Sequence, residues 1–345
     1  MYIDNFNLNE NKVFIIAELS ANHNGNIETA IKTIKAAKRA GADCIKLQTY
    51  TPDTLTIDSK KSDFIIKSDS VWDGTNYYDL YKKAYTPWEW HEKLFRVAKE
   101  EGLVCFSSPF DKTAVDFLES LNVPAYKIAS FEITDISLIE YVASKGKPII
   151  LSTGIANIED IELAISTCKK IGNNDIALLK CTSSYPAPID EANMCMIKDL
   201  AERFNVISGL SDHTIGSTVP IVATSLGAKI IEKHFIIDRS IGGPDASFSM
   251  NEQEFKEMVK AIREAESSIG RVNYKLTEKQ KKGRNFSRSL YVTEDIKKGD
   301  VITENNVRSI RPGFGIHPKY LPEILGKKIT KDAFKGERFD LSLIK

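Results

Sequence analysis

The chain has 345 residues, and its 47 Lys and Arg balance 47 Asp and Glu. That neutral balance excludes a polyanion-binding surface as the organising feature, so no nucleic acid partner is expected. No apolar run approaches the ~20 residues that span a bilayer, so no membrane partner is expected either, and the length suits one large α/β barrel plus a small domain. The opening stretch MYIDNFNLNENK lacks the charged and apolar regions of a signal peptide. Cys44, Cys105 and Cys181 fall in predicted buried strands and Cys168 on a helix. With five cysteines in all and no CxxC spacing, they read as reduced core residues, which predicts a cytoplasmic protein.

In chain order, Val13–Ala17 is an apolar strand ending in Glu18-Leu19-Ser20. Asn26 then caps a helix with apolar residues at 27, 30, 31, 34 and 37, a 3.6-residue period that stops at Gly41. The second strand, Asp43–Gln48, carries Lys46 and Gln48 two apart and therefore on one face. A polar and aromatic insert follows over 49–85, including SVWDGTNYYDLY, and loops this long are commonly functional or lids. Thr86-Pro87-Trp88-Glu89 reads as a capping box with Pro at the first helical position.

The alternation then becomes regular. Strands are predicted at Val104–Ser107, Ala125–Ala129, Pro148–Ser152 and Ile176–Cys181, with helices opened by Asp111, Asp135 and Asn157 and another near Glu191–Phe204. Residues 206–250 supply two more strands, Val206–Leu210 and Lys229–Phe235, around a helix over 216–228, and Asn251 begins the last helix. Eight apolar strands alternating with eight amphipathic helices predict a closed (β/α)₈ TIM barrel over 1–270. The polar, basic segment 271–285 reads as a linker, and 286–345 as a small domain of short runs that docks on a barrel.

The barrel rule gathers the carboxyl ends of all eight strands at one mouth. There the sequence places Glu18 and Ser20; Lys46 and Gln48; Ser107 and Ser108; Lys127 and Ser130; Ser152 and Thr153; the run 182–185 ending in Tyr185; Ser211, Asp212 and His213; and Glu232 and His234. Two lysines facing hydroxyls suit a phosphate and a carboxylate together, and a strand-end lysine suits Schiff-base chemistry as the alternative. A single Ser or Thr here is explained by turn chemistry, but a lysine inside an apolar strand is not, because an unpaired buried ammonium is costly. Glu18 and Glu232 can flank a substrate. Asp245, in GGPDASFSM, is either a turn residue or a site residue. His213 or His234 alone reads as a core or loop residue. As a pair at neighbouring strand ends they point to a divalent metal, since neutral imidazole is its commonest ligand.

The motifs IIAELSANHNG, IKLQTY, YKIAS, LSTG, SSYPAP, GLSDHT, EKHF and GPDASFSM, with the later DIKKGD and RPGFGI, resemble the sialic acid synthase family over nearly the whole chain. The insert resembles that family's pseudaminic acid branch. The resemblance implies condensation of phosphoenolpyruvate with an N-acetylated amino sugar, 2,4-diacetamido-2,4,6-trideoxy-L-altrose in that branch. It implies an antifreeze-like (SAF) domain at the C-terminus and a domain-swapped homodimer. It further implies that Lys46, Lys127, Ser130, Ser152, Ser183 and Ser211 hold phosphoenolpyruvate, and that Glu18, Gln48, Tyr185 and Asp245 hold the sugar. Arg311 would reach the sugar from the partner. His213 and His234 would bind Mn²⁺, with Mg²⁺ or Co²⁺ as alternatives, and Glu232 would be an acid/base. Other readings are an N-acetylneuraminate or legionaminate synthase, a Schiff-base aldolase, and carbohydrate or ice binding by the terminal domain alone.

Overall fold

The computed structural model describes residues 1–10, 12–67 and 72–344. Ser70 and Val71, at the start of the aromatic motif in the insert, lie outside the described residues. The chain divides into two compact units, Met1–Gly270 and Arg271–Lys345.

The first unit begins with a two-stranded ribbon, β1 (Tyr2–Ile3) and β2 (Phe6–Asn7). Eight parallel strands follow: β3 (Phe14–Glu18), β4 (Cys44–Thr49), β5 (Val104–Pro109), β6 (Tyr126–Ile128), β7 (Ile149–Ser152), β8 (Ile176–Cys181), β9 (Ile207–Asp212) and β10 (Ile230–His234). They pair in sequence order, and β10 returns to β3 to close a barrel. The covering helices are α1 (Ile27–Ala40), α4 (Trp88–Glu100), α5 (Lys112–Ser120), α6 (Ile136–Ala143), α7 (Ile158–Lys170), α8 (Met196–Phe204), α9 (Thr218–Ser225) and α10 (Glu252–Ile269). The expected caps form at Asn26, Asp111, Asp135, Asn157 and Asn251, and Gly41 closes α1 in the left-handed region that a Cβ disfavours.

Pleating sorts each strand onto two faces. Outward residues such as Ile15, Ile45, Leu151, Leu178 and Ile231 pack beneath the helices. Inward residues change character along the barrel axis. Phe14, Ile16, Cys44, Phe106, Ile150 and Leu179 fill the lower barrel, and Ile3 and Leu8 of the N-terminal segment join that cluster. Two residues further along the same inward rows stand Glu18, Lys46, Ser108, Ser152, Cys181 and Glu232, all buried. The polar floor of the mouth therefore rests on an apolar plug.

Two expectations need correction, at Thr86 and in the insert. Thr86 does not cap α4, whose N-cap is Pro87 without a side-chain bond. The Thr86 hydroxyl pairs instead with His23 Nε2 at 3.2 Å, so tertiary contact outcompetes the local box. The insert is not loop throughout: it holds α2 (Pro52–Leu55) and α3 (Tyr77–Ala84). The segment read as a linker carries α11 (Glu278–Gly283), capped by Thr277. The second unit also contains β11 (Ser289–Val292), β12 (Val307–Ile310) and α12 (Leu321–Ile324), around its own core of Leu290, Val292, Ile302, Val307, Ile324 and Phe339. Among the described residues no helix is long and apolar enough to cross a membrane.

Two buried histidines brace the barrel wall beside the insert. His23 Nδ1 accepts from the Gly25 amide at 3.0 Å, and His91 Nδ1 lies 3.2 Å from the Pro87 carbonyl with Nε2 2.8 Å from Thr49 Oγ1. Burial pushes both imidazoles down to about 4, and His91 adds repulsion at His23. A folded pKa below the free value means that this stability is complete above about pH 6.5 and is lost as the pH falls towards 4. Urea unfolding of wild type and His91→Gln across that range should show a wild-type midpoint that falls more steeply. Parallel curves would rule out His91 as an acid-labile brace.

Candidate active site

Strand register builds the centre of the mouth. Glu18 lies level with Lys46 on the neighbouring strand, and Glu232 level with Ser211. One carboxylate oxygen, Glu232 Oε1, accepts from Lys46 Nζ at 3.0 Å, Lys127 Nζ at 3.3 Å and Ser211 Oγ at 3.1 Å. Lys46 Nζ also stands 2.9 Å from Glu18 Oε2, and Gln48 Nε2 donates to Glu18 Oε1 at 3.1 Å. All four charged side chains are buried. Lys233, between two inward residues, points outward and pairs with Asp212.

Burial and charge push the two carboxyls apart. Burial raises Glu18 to about 7, and Glu232 nearby adds to the rise against the pull of Lys46. Burial would raise Glu232 too, but Lys127 and Lys46 together outweigh it and hold it at about 2. Burial works against the charge on Lys46, yet Glu18 and Glu232 keep it firmly cationic. Lys127 falls below its ordinary value because burial outweighs its pairing with Glu232. At neutral pH Glu232 is an anion that orients ammonium groups, and Glu18 is a carboxyl able to carry a proton.

The histidines meet on the β9–β10 side, with ring centroids 5.3 Å apart. His213 Nδ1 lies 3.0 Å from the Thr182 carbonyl, so this nitrogen carries a proton and Nε2 is the one that offers a lone pair in the neutral ring; burial works against the charged form, but Cys181 and this carbonyl raise the imidazole above its ordinary value. His234 is held neutral by burial and by His213, and its buried Nδ1 has no hydrogen-bond partner among the described residues. Asp245 Oδ2 is 3.8 Å from that nitrogen and accepts from Ser20 Oγ at 2.5 Å. The GGPD loop thus folds down onto the mouth. The Tyr185 ring lies against both histidines, tilted at 4.3 Å from His213 and edge-on at 6.4 Å from His234.

Gln48, Ser130, Ser183, Tyr185, His234 and Asp245 line a cavity of about 850 Å³, within the roughly 300–1,000 Å³ of small-molecule sites. Two of its lining residues carry buried polar atoms without hydrogen-bond partners among the described residues, Glu132 Oε2 and His234 Nδ1, and Ser152 Oγ and Glu232 Oε2 are further such atoms at the strand ends. Such atoms are rare in folded interiors, and their clustering marks groups directed at a ligand. Arg311 is not part of this unit. It lies exposed in the second unit, just beyond β12, before Pro312.

Two residues of the site escaped the sequence reading. Glu132 follows Ser130 in a short turn after β6, lines the cavity, and is pushed up to about 7 by burial. Its position two residues past Ser130 was the available signal. Gly154 follows β7, and its amide donates to Ser130 Oγ at 3.2 Å. A Cβ there would lie 2.0 Å from Ser183 Oγ and 2.8 Å from Ser130 Oγ. Only glycine lets these two hydroxyls converge with the amide.

A family model described as the NeuB family matches residues 33–274, and an SAF domain model matches 287–339. The chain is 52% identical to the pseudaminic acid synthase of Campylobacter jejuni over 98% of both chains. It is 52% identical to the pseudaminic acid synthase of Helicobacter pylori over 92% of this chain and 93% of that one. Among solved structures, the N-acetylneuraminic acid synthetase of Leptospira borgpetersenii in complex with citrate superposes with a TM-score of 0.71 at 30% identity, covering 79% of this chain and 90% of that one.

The hydroxyl–amide cradle yields a direct test. Gly154→Ala should displace Ser183 or Ser130 and weaken binding of inorganic phosphate about tenfold, the scale of one charge-assisted hydrogen bond. Calorimetric titration checks this, and wild-type affinity in the variant would remove the cradle from oxyanion binding.

Proposed function

The chain belongs to the NeuB family, and from that membership we propose that it condenses phosphoenolpyruvate with 2,4-diacetamido-2,4,6-trideoxy-L-altrose and water to give pseudaminic acid and phosphate. The observation that carries this reading is the 52% identity to the Campylobacter enzyme over 98% of both chains. In the reaction, C3 of phosphoenolpyruvate bonds to the aldehyde carbon, water adds at C2, and phosphate leaves with C–O cleavage.

The residues divide this work by charge. Lys46 and Lys127 meet the oxyanions of phosphoenolpyruvate, while Ser130, Ser152, Ser183 and Ser211 supply hydroxyl donors. Glu232 stays ionised and fixes both ammonium groups in direction, which is positioning established before substrate arrives. Glu18 is the carboxyl poised to exchange a proton near neutral pH, whereas Glu232, expected as an acid/base, is held ionised by Lys127 and Lys46 and acts by positioning them. Gln48, Tyr185 and Asp245 hold the sugar. Lys46 is a poor Schiff-base nucleophile here, because its two carboxylate neighbours keep it protonated.

His213 and His234 fit a divalent metal as a two-ligand site: one imidazole nitrogen is freed by the Thr182 contact and the other is buried without a partner. No three His, Cys, Asp or Glu side chains among the described residues form a fuller shell, so water and substrate would complete it. A bound Mn²⁺, with Mg²⁺ or Co²⁺ as substitutes, would supply Lewis acidity at the sugar carbonyl. Arg311 would serve the partner's barrel in a domain-swapped homodimer, supported by its exposure on a separate unit. Cytoplasmic placement is supported by five free cysteines, four of them buried.

The decisive assay is mass spectrometry of the product from phosphoenolpyruvate and each candidate amino sugar. Pseudaminic acid should form, stop in chelator, return with Mn²⁺, and be absent from His213→Ala with or without the ion. Exclusive turnover of N-acetylmannosamine or of the legionaminate precursor would overturn the substrate. Mixing Arg311→Ala with His213→Ala protomers should restore roughly a quarter to half of the sites by pairing in trans. No recovery after confirmed subunit exchange would place Arg311 outside a shared site.

A further inference from the structure

Helix α3 carries a stripe of aromatic and aliphatic residues that the fold leaves only half-buried. Tyr77, Leu80, Tyr81 and Ala84 recur at i, i+3, i+4 and i+7 and so share one face. An amphipathic surface helix normally packs that face onto the core. No residue of α3 is buried, and all four stripe residues line the 850 Å³ cavity.

The flanks hold this stripe over the mouth. Asn76 caps α3 through the Tyr78 amide and donates from its own side chain to the Ser59 carbonyl at 2.7 Å. Trp72 Nε1 donates to the Pro244 carbonyl at 3.2 Å, and its ring lies 5.2 Å from that of Tyr185. Tyr81 meets Tyr50 edge-on at 5.7 Å. The cavity therefore has a polar floor, with Gln48, Ser130, His234 and Asp245, and an apolar side furnished by the insert.

Such a space fits a molecule with one polar, reactive end and one apolar end. The acceptor in the reading above has that form. Its aldehyde C1 must sit at the polar mouth, which directs C6 to the other end of the six-carbon chain. In this sugar C6 is a methyl group. We propose that the α3 stripe is the specificity element that reads the 6-deoxy end of the acceptor. The inference rests on the proposed reaction and adds the residues that select its sugar. Unlike Tyr77 and Tyr81 on the same face, Leu80 and Ala84 have no side-chain polar atom to pair a 6-hydroxyl, so these two are where the methyl end would lie and where a hydroxyl would be buried at a cost. A hydrophobic wall rejects an added hydroxyl only modestly, by roughly 100-fold at most.

The test compares kcat/KM for the 6-deoxy acceptor and its 6-hydroxy analogue in wild type, Leu80→Asn, Ala84→Ser and Leu80→Met. Wild type should favour the deoxy sugar by roughly 10–100-fold. Leu80→Asn should narrow that ratio about tenfold, by weakening the deoxy sugar, with KM for phosphoenolpyruvate within about twofold of wild type. Ala84→Ser should narrow the ratio less, and Leu80→Met should preserve it. An unchanged ratio in both polar variants, with wild type active on the deoxy sugar, would overturn the inference alone. Wild type inactive on the deoxy sugar would overturn the proposed reaction, and the inference with it.

Discussion

Four charged side chains share one level of the barrel interior, and the architecture answers to them. Glu18, Lys46, Lys127 and Glu232 are each buried, and any one of them alone would carry a large desolvation cost. Held in mutual contact they satisfy one another, with Glu232 Oε1 as the common acceptor. Stability does not explain the arrangement, since packed apolar residues in place of a buried ion cluster are often neutral or stabilising. The proposed reaction accounts for it, because its substrate phosphoenolpyruvate bears two anionic groups that the lysines would meet. The carboxylates keep Lys46 charged and hold both lysine side chains in direction, and the rigid strands keep the carboxylates in place.

The same strands serve two purposes because the barrel is graded along its axis. Phe14, Ile16 and Glu18 lie on one inward row, as do Ile230, Glu232 and His234. The lower members pack the plug and the upper members carry charge. Outward residues of those strands belong to separate clusters under the helices. Repacking beneath a helix and chemistry at the mouth are thus separated by the thickness of one backbone.

Above this centre the site becomes particular to its ligand. Trp72, Tyr185 and Phe248 form an aromatic group beside the histidines, and the GGPD loop meets it through the Pro244 carbonyl. The insert between β4 and α4 uses that group as a footing and leaves the face of α3 towards the cavity. The charged centre thus sits on rigid strands, while the proposed reader of the sugar sits on the insert between β4 and α4.

By itself the sequence determined the barrel, because eight apolar strands and eight capped amphipathic helices are local patterns set by period and turn chemistry. It also indicated which side chains gather towards the mouth, since Lys46, Lys127, His213, Glu232 and His234 lie in or just beyond the carboxyl-terminal parts of strands that must converge in a barrel. Three matters needed tertiary structure. Thr86 looks like a helix cap in sequence, but His23, distant along the chain, takes its hydroxyl. Gly154 looks like an ordinary turn glycine until Ser130 and Ser183 are seen to occupy the space of its Cβ. The opposite shifts of Glu18 and Glu232 depend on which carboxylate lies within reach of both lysines, a consequence of strand register across the barrel. Periodicity tells which face a residue takes; only the closed sheet tells what it faces.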